Sequence, residues 1–290
     1  MTMGTLYLVA TPIGNLEDMT LRGLRVLREV SLIAAEDTRH TRKLLTHFQI
    51  TTPTVSYHEH SSLARRDALL EALSRGDVAL VSDAGTPLIS DPGQDLVRAA
   101  LSAGHAVIPI PGAVAAIAAL IGSGLPADQF TFLGFLPRRS SERRALLESV
   151  RREPRTLILY EAPHRLVACL EDALAVLGDR EIVAARELTK LHEEWLRGPI
   201  SALLARFHMG PPPRGEFALV LAGYQPTADA RTDDAAQEET PSARERIRAL
   251  LAGGMSTRDA ATRIAGEHGI SRREAYALAL EVARETEGEE

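Results

Sequence analysis

The chain has 290 residues, of which 45% are hydrophobic and 25% charged, a balance ordinary for a globular protein with a sizeable core and more than one domain. Its net charge of −6 excludes a polycation, so any nucleic-acid contact must come from a local basic patch. Cys169 is the sole cysteine, which excludes an internal disulfide and a cysteine-based metal cluster and fits a reducing compartment.

No targeting segment is expected, because Pro12 and Gly14 interrupt the first short apolar run and no basic region precedes it. Residues 6–10 form that run and predict a strand. The loop Thr11-Pro-Ile-Gly-Asn-Leu-Glu-Asp18 follows, and Thr20 then opens a helical pattern with Leu21, Leu24, Leu27 and Val30. Residues 32–35 predict a second strand leading into Glu36-Asp-Thr-Arg39, where a carboxylate could accept from a substrate hydroxyl or bind a backbone turn. His58-Glu-His60 puts two imidazoles on one side of an extended segment; with no third ligand evident, no metal is expected.

The run 78–81 predicts a buried strand, and Leu96, Val97, Ala100 and Leu101 predict the helix after it. Between them lies Ser-Asp-Ala-Gly-Thr-Pro-Leu-Ile-Ser-Asp-Pro-Gly93, at the carboxyl end of a strand, where open α/β sheets bind ligands. Gly85 would let a ligand approach the backbone, and Pro87 stiffens the loop. Asp91 is placed as the helix N-cap with Pro92 at the first helical position, or else Asp91 and Asp83 hold a cationic group of the ligand. The loop has neither Gly-x-x-x-x-Gly-Lys-Ser/Thr nor Gly-x-Gly-x-x-Gly, so it is not a P-loop and gives no support to a nicotinamide or flavin. An acidic, proline-stiffened loop suits a positively charged ligand, and S-adenosylmethionine, with its ammonium and sulfonium, is of that kind.

Residues 106–110 predict a further strand, followed by Pro111-Gly-Ala113 and a small-residue run at 115–120. The apolar stretch 107–125 approaches membrane-span length, but Pro109, Pro111, Gly112, Gly122 and Gly124 break it into a strand, a turn and a buried helix. Three strand–loop–helix units that each place Gly and Pro after a strand suggest loops converging on one crevice of a mostly parallel α/β domain. The candidate residues for this ligand site are Pro12, Gly14, Asp83, Ala84, Gly85, Thr86, Pro87, Pro111 and Gly112, with Ser123 and Gly124 beyond them.

A second α/β domain is expected from about residue 130, with strands at 130–135, 156–160, 182–185, 191–197 and 216–222 and helices at 142–151, 165–177 and 200–207. The expected division is 1–124, 125–224, an acidic flexible linker at 225–241, and a helical module at 242–290. A crevice between the two α/β domains is the expected ligand site. Arg138, Arg139, Arg143, Arg144, Arg151, Arg152 and Arg155 form the densest basic stretch, readable as an RNA phosphate patch or as a solvated helix face. Glu161-Ala-Pro-His164-Arg165 follows a strand and could contact ligand or RNA, or cap the next helix. Lys43 and Lys190 are the only lysines. Lys190 reads as a base with a pKa lowered by burial, with Arg186 and Glu187 positioning it or the acceptor, or as a surface partner of Glu187 or Glu193.

In the last segment Ile247, Leu250 and Leu251 share a helical stripe. Ser256-Thr-Arg-Asp259 and Ser271-Arg-Arg-Glu274 look like capping boxes, with Gly269 separating their helices. The layout fits a helix-turn-helix whose last helix begins with Arg272 and Arg273, or a small dimerisation bundle.

Thr11-Pro-Ile-Gly-Asn-Leu, Glu36-Asp-Thr-Arg39, the 81–93 loop, Phe132-Leu-Gly-Phe-Leu-Pro137, Glu161-Ala-Pro-His-Arg-Leu166 and Arg186-Glu-Leu-Thr-Lys190 resemble, in order, the ribosomal RNA small subunit methyltransferase I family of the tetrapyrrole methylase superfamily. The resemblance runs from about Gly4 to Ala222 and more loosely to the C-terminus. It implies two α/β domains of tetrapyrrole-methylase type with a C-terminal helix-turn-helix-like module. It also implies S-adenosylmethionine as donor and 2′-O-methylation of a cytidine ribose in the decoding region of 16S ribosomal RNA. The implied partner is that RNA or the 30S subunit, and the chain is expected to be a cytoplasmic homodimer with no membrane association. By the same resemblance the 36–39 segment lines the acceptor side. Arg39, Arg138, Arg139, Arg143, Arg144, His164, Arg165, Arg272 and Arg273 are the RNA-binding candidates. Competing readings are a small-molecule tetrapyrrole methylase and a non-catalytic RNA-binding protein.

Overall fold

The computed structural model of the chain describes residues 4–226, 243–268 and 271–287. The expected acidic linker, apart from its first two residues, and the Gly269 separator lie outside these. The chain divides into two compact units, Met1–Tyr224 and Gln225–Glu290.

The first unit begins with β1 (Thr5–Val9), α1 (Leu21–Glu29), β2 (Leu32–Ala35), α2 (Thr38–His47), β3 (Thr54–Ser56), α3 (Leu63–Leu73), β4 (Val78–Val81), α4 (Gln94–Ser102) and β5 (Ala106–Ile110). These strands make one parallel sheet in the order β3-β2-β4-β1-β5. Central β4 is buried at every position, as a parallel strand covered on both faces must be. Pro109 is tolerated because β5 is an edge strand, where a missing N–H breaks no inner ladder. Helix α1 starts where Thr20 accepts from the Gly23 N–H at 3.0 Å, and α2 where Asp37 accepts from the Arg39 N–H at 2.8 Å.

Helix α5 (Ala115–Ser123) leads into a second sheet of β6 (Phe130–Phe135), β7 (Thr156–Glu161), β8 (Glu181–Arg186), β9 (Glu194–Pro199) and β10 (Phe217–Leu221), ordered β6-β7-β10-β8-β9. Only β6 and β7 are parallel; the other pairs are antiparallel. One face packs on α6 (Ser140–Ser149), α7 (Leu166–Leu177) and α8 (Ile200–Met209) through a core that includes Leu147, Leu170, Leu203 and Leu219. The other face packs on α5: Ala116, Ala119 and Leu120 meet Ile158, Val183, Ala218 and Val220. Helix α5, which sequence reasoning assigned to the first α/β domain, thus packs on the second sheet, because its small-residue face fits that sheet's inner surface.

Three local expectations are corrected. Asp91 does not cap α4, and Pro92 is not its first residue; Gly93, at φ 122°, precedes Gln94 in that place. The ninth strand starts at Glu194 rather than 191, because residues 188–192 form turns. Glu59 and His60 form a turn, not an extended segment.

In the second unit, α9 (Ala243–Ala252), α10 (Thr257–His268) and α11 (Arg272–Glu287) enclose a core of Ile247, Ala261, Ile264, Ala275, Ala279 and Val282. Ser271 and Glu274 form a reciprocal capping box, with Glu274 N–H donating to Ser271 Oγ at 3.2 Å and Ser271 N–H to Glu274 Oε2 at 3.1 Å. At Ser256, Asp259 N–H donates to the hydroxyl at 3.2 Å, and the shorter aspartate answers through that same hydroxyl at 2.6 Å. Arg272 and Arg273 are exposed at the start of α11.

Among the described residues, no helix is long and apolar enough to cross a membrane, and no group of three or more His, Cys, Asp or Glu side chains is placed to hold a metal ion.

Candidate active site

The carboxyl ends of β1, β2 and β4 face the ends of β7, β8 and β10 across two cavities of about 540 and 400 Å³. Ile13, Asp83, Ala84, Lys190 and Glu216 line both, so the cavities meet at a shared wall.

The first-sheet side is acidic. The β1 and β4 loops are tied by the paired backbones of Thr11 and Gly85, with Thr11 N–H donating to Gly85 O at 2.8 Å and the return bond at 3.1 Å. Gly85 holds φ 82°, where a side chain would be strained, and its added Cβ would press on Ile13 at 3.3 Å. Thr86 Oγ1 donates to Ala113 O at 3.1 Å, which ties this loop to the one after β5. Glu36, Asp83 and Asp91 line the larger cavity together. Asp83 Oδ1 accepts the Asp37 N–H at 3.0 Å, while Asp83 N–H donates to Glu36 Oε2 at 3.3 Å. Burial pushes the Asp91 carboxyl up to about 6, against a Ser82 hydrogen bond that lowers it, and the charges of Glu36 and Asp83 add to the rise. Burial and the Asp83 charge likewise raise Glu36. No cation is paired with Asp83 or Asp91 among the described residues.

The second-sheet side is compensated. Lys190 Nζ lies 3.0 Å from Glu187 Oε1 and 2.8 Å from Glu216 Oε2. Burial acts to lower the Lys190 ammonium, but its two carboxylate partners outweigh that and raise it above the ordinary lysine value. The expected depressed pKa is therefore corrected: Lys190 is a fixed cation, and its partners are Glu187 and Glu216 rather than Glu193. Burial acts to raise Glu187, and the Glu216 N–H, Lys190 and Arg186 together hold it low. Gly14 packs directly beneath the Lys190 stem, with no room for a Cβ, and Gly215 does the same beneath Glu187. Arg186 turns away from the cavities, its Nε donating to Arg214 O at 2.8 Å and its Nη1 pairing with Glu194 at 2.8 Å.

Both lips hold strained backbone. Leu88 and Ser90 on one, Glu187 and Thr189 on the other, have φ of 75°, 65°, 51° and 65°, conformations retained where surrounding structure imposes them. Apolar and aromatic cover comes from Ile13, Ile89, Val114, Phe135 and Tyr160. The Tyr160 hydroxyl accepts from the Ala116 N–H at 2.9 Å and fixes the start of α5.

The structure brings Pro12, Gly14, Asp83, Ala84, Gly85, Thr86, Glu187, Lys190 and His164 to the cavity walls. Pro87 is buried behind its loop. Pro111 and Gly112 line neither cavity; Gly112 instead lies against Ala10, where a Cβ would stand 2.7 Å from that methyl. Ser123 and Gly124 end α5, opposite to its cavity-lining start: Ser123 Oγ donates to Leu120 O at 2.7 Å, and Gly124 holds φ 81° as the cap. Arg143 is corrected from RNA contact to core ion pair, with Nε 2.8 Å and Nη2 2.5 Å from Asp172 and its residue 4% exposed. Arg144 is drawn to the same aspartate at 3.4 Å, and Arg139 pairs with Glu142 at 3.2 Å. Arg138 is exposed, as is Arg39, which pairs with Asp37 at 2.7 Å. Arg165 donates to Leu136 O at 2.6 Å and lies 3.3 Å from buried Glu161. Glu216, Tyr160 and Phe135 escaped the sequence reading; an acid just before a strand and aromatics within two strands carry no local signal of a site.

Residues 5–204 match the family of Tetrapyrrole (Corrin/Porphyrin) Methylases, and residues 237–283 match the RsmI C-terminal HTH domain. The chain is 52% identical to ribosomal RNA small subunit methyltransferase I of Synechocystis sp., covering 97% of this chain and 99% of that one. It is 46% identical to the protein of the same name from Escherichia coli O157:H7, over 97% and 96% of the two chains. Among solved structures, the methyltransferase CobJ shares the fold at TM-score 0.57 and 18% identity, over 76% of this chain and 94% of that one. Uroporphyrin-III C-methyltransferase from Thermus thermophilus, complexed with S-adenyl homocysteine, superposes at TM-score 0.50 and 21% identity, over 76% and 97%. The chain belongs to the ribosomal RNA small subunit methyltransferase I family, on a tetrapyrrole methylase fold with an RsmI-type C-terminal helical domain.

Proposed function

We propose that the chain transfers a methyl group from S-adenosylmethionine to the 2′-hydroxyl of a cytidine ribose in the decoding region of small-subunit ribosomal RNA. The observation that carries this reading is the carboxylate set Glu36, Asp83 and Asp91, with no cation paired to Asp83 or Asp91 among the described residues, in a 540 Å³ cavity of a chain with these relatives.

The residues fit the donor. A ligand with ammonium and sulfonium charges would meet carboxylates of which Glu36 and Asp91 are raised by burial and by neighbouring negative charge, a cost that a cation relieves. The Gly85 backbone gives close approach, and Ile13, Val114 and Tyr160 offer apolar cover for a purine. When bound, the donor would supply a methyl group on positive sulfur, and the accepting hydroxyl would lose its proton to solvent water as the oxygen–methyl bond forms and the sulfur–methyl bond breaks. The chain's own part is positioning and electrostatics. Asp83 and Asp91 orient the cationic end; Lys190, fixed by Glu187 and Glu216, faces the acceptor and stabilises negative charge developing on its oxygen. The bacterial relatives support a cytoplasmic site of action. We also propose a homodimer; Ile117 and Ile121, exposed one turn apart on α5, supply an apolar surface for it.

The test uses purified protein, radiolabelled S-adenosylmethionine and unmodified small ribosomal subunits. A 2′-O-methyl blocks alkaline cleavage at its own linkage, so the expected result is label in an alkali-resistant dinucleotide. Label in alkali-labile nucleotides would contradict ribose methylation. No label in RNA, with the donor bound, would turn the assignment toward a small-molecule acceptor or a non-catalytic role.

A further inference from the structure

We propose that the smaller cavity is the acceptor seat, taking a single nucleotide drawn out of the RNA stack, with Lys43 against its phosphate and the Thr41 hydroxyl against its sugar. The inference rests on the RNA-methylation reading above and assigns that acceptor a place and two binding residues.

Methyl transfer needs donor and acceptor atoms at roughly 3–3.5 Å, so the acceptor must occupy space that opens onto the donor's. The 400 Å³ cavity does so through the wall of Ile13, Asp83, Ala84, Lys190 and Glu216 that it shares with the larger one. Its volume falls in the range of small-ligand sites, about 300–1,000 Å³, and is too small for paired RNA. Enzymes that act on one nucleotide of a structured nucleic acid extrude it into such a pocket.

The side chains point to phosphate and hydroxyl chemistry. The chain carries 33 Lys and Arg, only two of them lysine, and both lysines line this one cavity. Lys190 is neutralised by Glu187 and Glu216. Lys43 stands on an exposed turn of α2 and makes no ion pair among the described residues. A lysine ammonium, compact and mobile, suits a phosphate as a point charge. Of the carboxylates that line this cavity, Glu216 holds Lys190 at 2.8 Å, and Asp83, whose Oδ1 takes the Asp37 N–H at 3.0 Å, stands in the wall shared with the donor's cavity.

Thr41 supplies the independent observation. It is 5% exposed, lines this cavity, and its buried Oγ1 has no hydrogen-bond partner. A helical threonine ordinarily returns its hydroxyl to the carbonyl one turn back. Here the Asp37 carbonyl already accepts the N–H groups of Thr41 at 3.0 Å and His40 at 3.1 Å. A buried donor left unpaired is costly, and this one lies just behind the cavity wall, where an occupant that displaces the wall slightly would complete it. Residues 40, 41, 43 and 44 form one turn of α2, and all four line this cavity.

The experiment compares full-length wild type, Lys43→Ala, Lys43→Arg and Thr41→Val on unmodified small subunits, reading kcat and KM for RNA, donor affinity by calorimetry, and Tm. Lys43→Ala is expected to raise the RNA KM about tenfold with donor affinity within about twofold, and Lys43→Arg to recover most of the loss because charge is restored. Thr41→Val keeps the shape and removes the unpaired hydroxyl. It is expected to lower kcat/KM for RNA about tenfold while Tm holds or rises. If wild type methylates RNA and both Lys43→Ala and Thr41→Val keep the RNA parameters within about twofold, the acceptor seat is elsewhere. Weakened donor binding in Lys43→Ala would assign the cavity to the donor and overturn the proposal. Wild type that transfers no methyl to RNA overturns the underlying reading itself, and the two failures are thereby told apart.

Discussion

The two sides of the crevice use carboxylates in opposite ways. On the first-sheet side, Glu36, Asp83 and Asp91 stand together, and Asp91 is driven up to about 6 by burial and its neighbours' charge. On the second-sheet side, Glu187 and Glu216 share Lys190 at 3.0 and 2.8 Å, and Glu187 is held low. One side stores negative charge that a cationic ligand can relieve; the other has spent its negative charge on fixing a cation. The same residue type thus makes a receptor for positive charge in one wall and a rigid mount for a lysine in the other. The difference lies in which strand ends bring a cation within reach.

The largest effect expected from breaking this asymmetry comes at the mounted lysine. Lys190→Met leaves Glu187 and Glu216 facing each other and removes the only cation in the shared wall. Turnover is expected to fall on the order of 10²-fold, as when one charge-stabilising donor is lost from a catalytic site. Donor affinity, measured by calorimetry, should change by less than about threefold, because positive charge near the donor is removed, not added. Equal loss of both would place Lys190 in the donor site.

Asp91→Asn comes next. Donor affinity at pH 7.5 is expected to weaken about tenfold, the scale of one lost partly screened charge contact. Stability should move the other way. The folded-state pKa of Asp91 is raised from 3.8 to about 6, so its protonated form favours the folded state below about pH 4, and that contribution is lost as pH rises through about 6. Asp91→Asn removes the loss, so the donor-free Tm should rise at pH 7.5 and stay unchanged at pH 4. A lower Tm at pH 7.5 would mean that Asp91 is chiefly a structural acceptor for Ser82.

The smallest effect is expected at Arg39, which is exposed and pairs with Asp37 at the start of α2. Arg39→Ala should leave Tm and donor affinity unchanged and reduce the salt slope of RNA binding by about 1 if it contacts a phosphate. An unchanged slope removes it from the RNA surface.

Strands and loops were legible in the sequence because they rest on local signals. The apolar runs at 32–35, 78–81, 106–110 and 130–135 are strands to the residue, and Thr20 caps α1. What depends on distant partners was hidden. Arg143 looked like one more arginine of a basic helix, but Asp172, 29 residues away, draws it into the core. Asp91 carried every sign of a helix cap, yet Leu88 and Ser90 turn the chain through left-handed conformations and the helix starts two residues after Pro92. The scarcity of lysine marked Lys190 as unusual, but its rise in pKa follows from Glu187 and from Glu216, which arrives from the loop before β10. The same scarcity pointed equally to Lys43, whose α2 turn reads locally as an ordinary amphipathic helix.

The most direct test of the charge asymmetry is the pH dependence of donor binding, measured by calorimetry of S-adenosylmethionine between pH 5 and 7. A cation that binds beside Asp91 favours its ionised form, so affinity should climb as pH rises through about 6, and the climb should be lost in Asp91→Asn. Affinity that is flat across this range, or that falls with rising pH, would contradict a donor seated against these carboxylates.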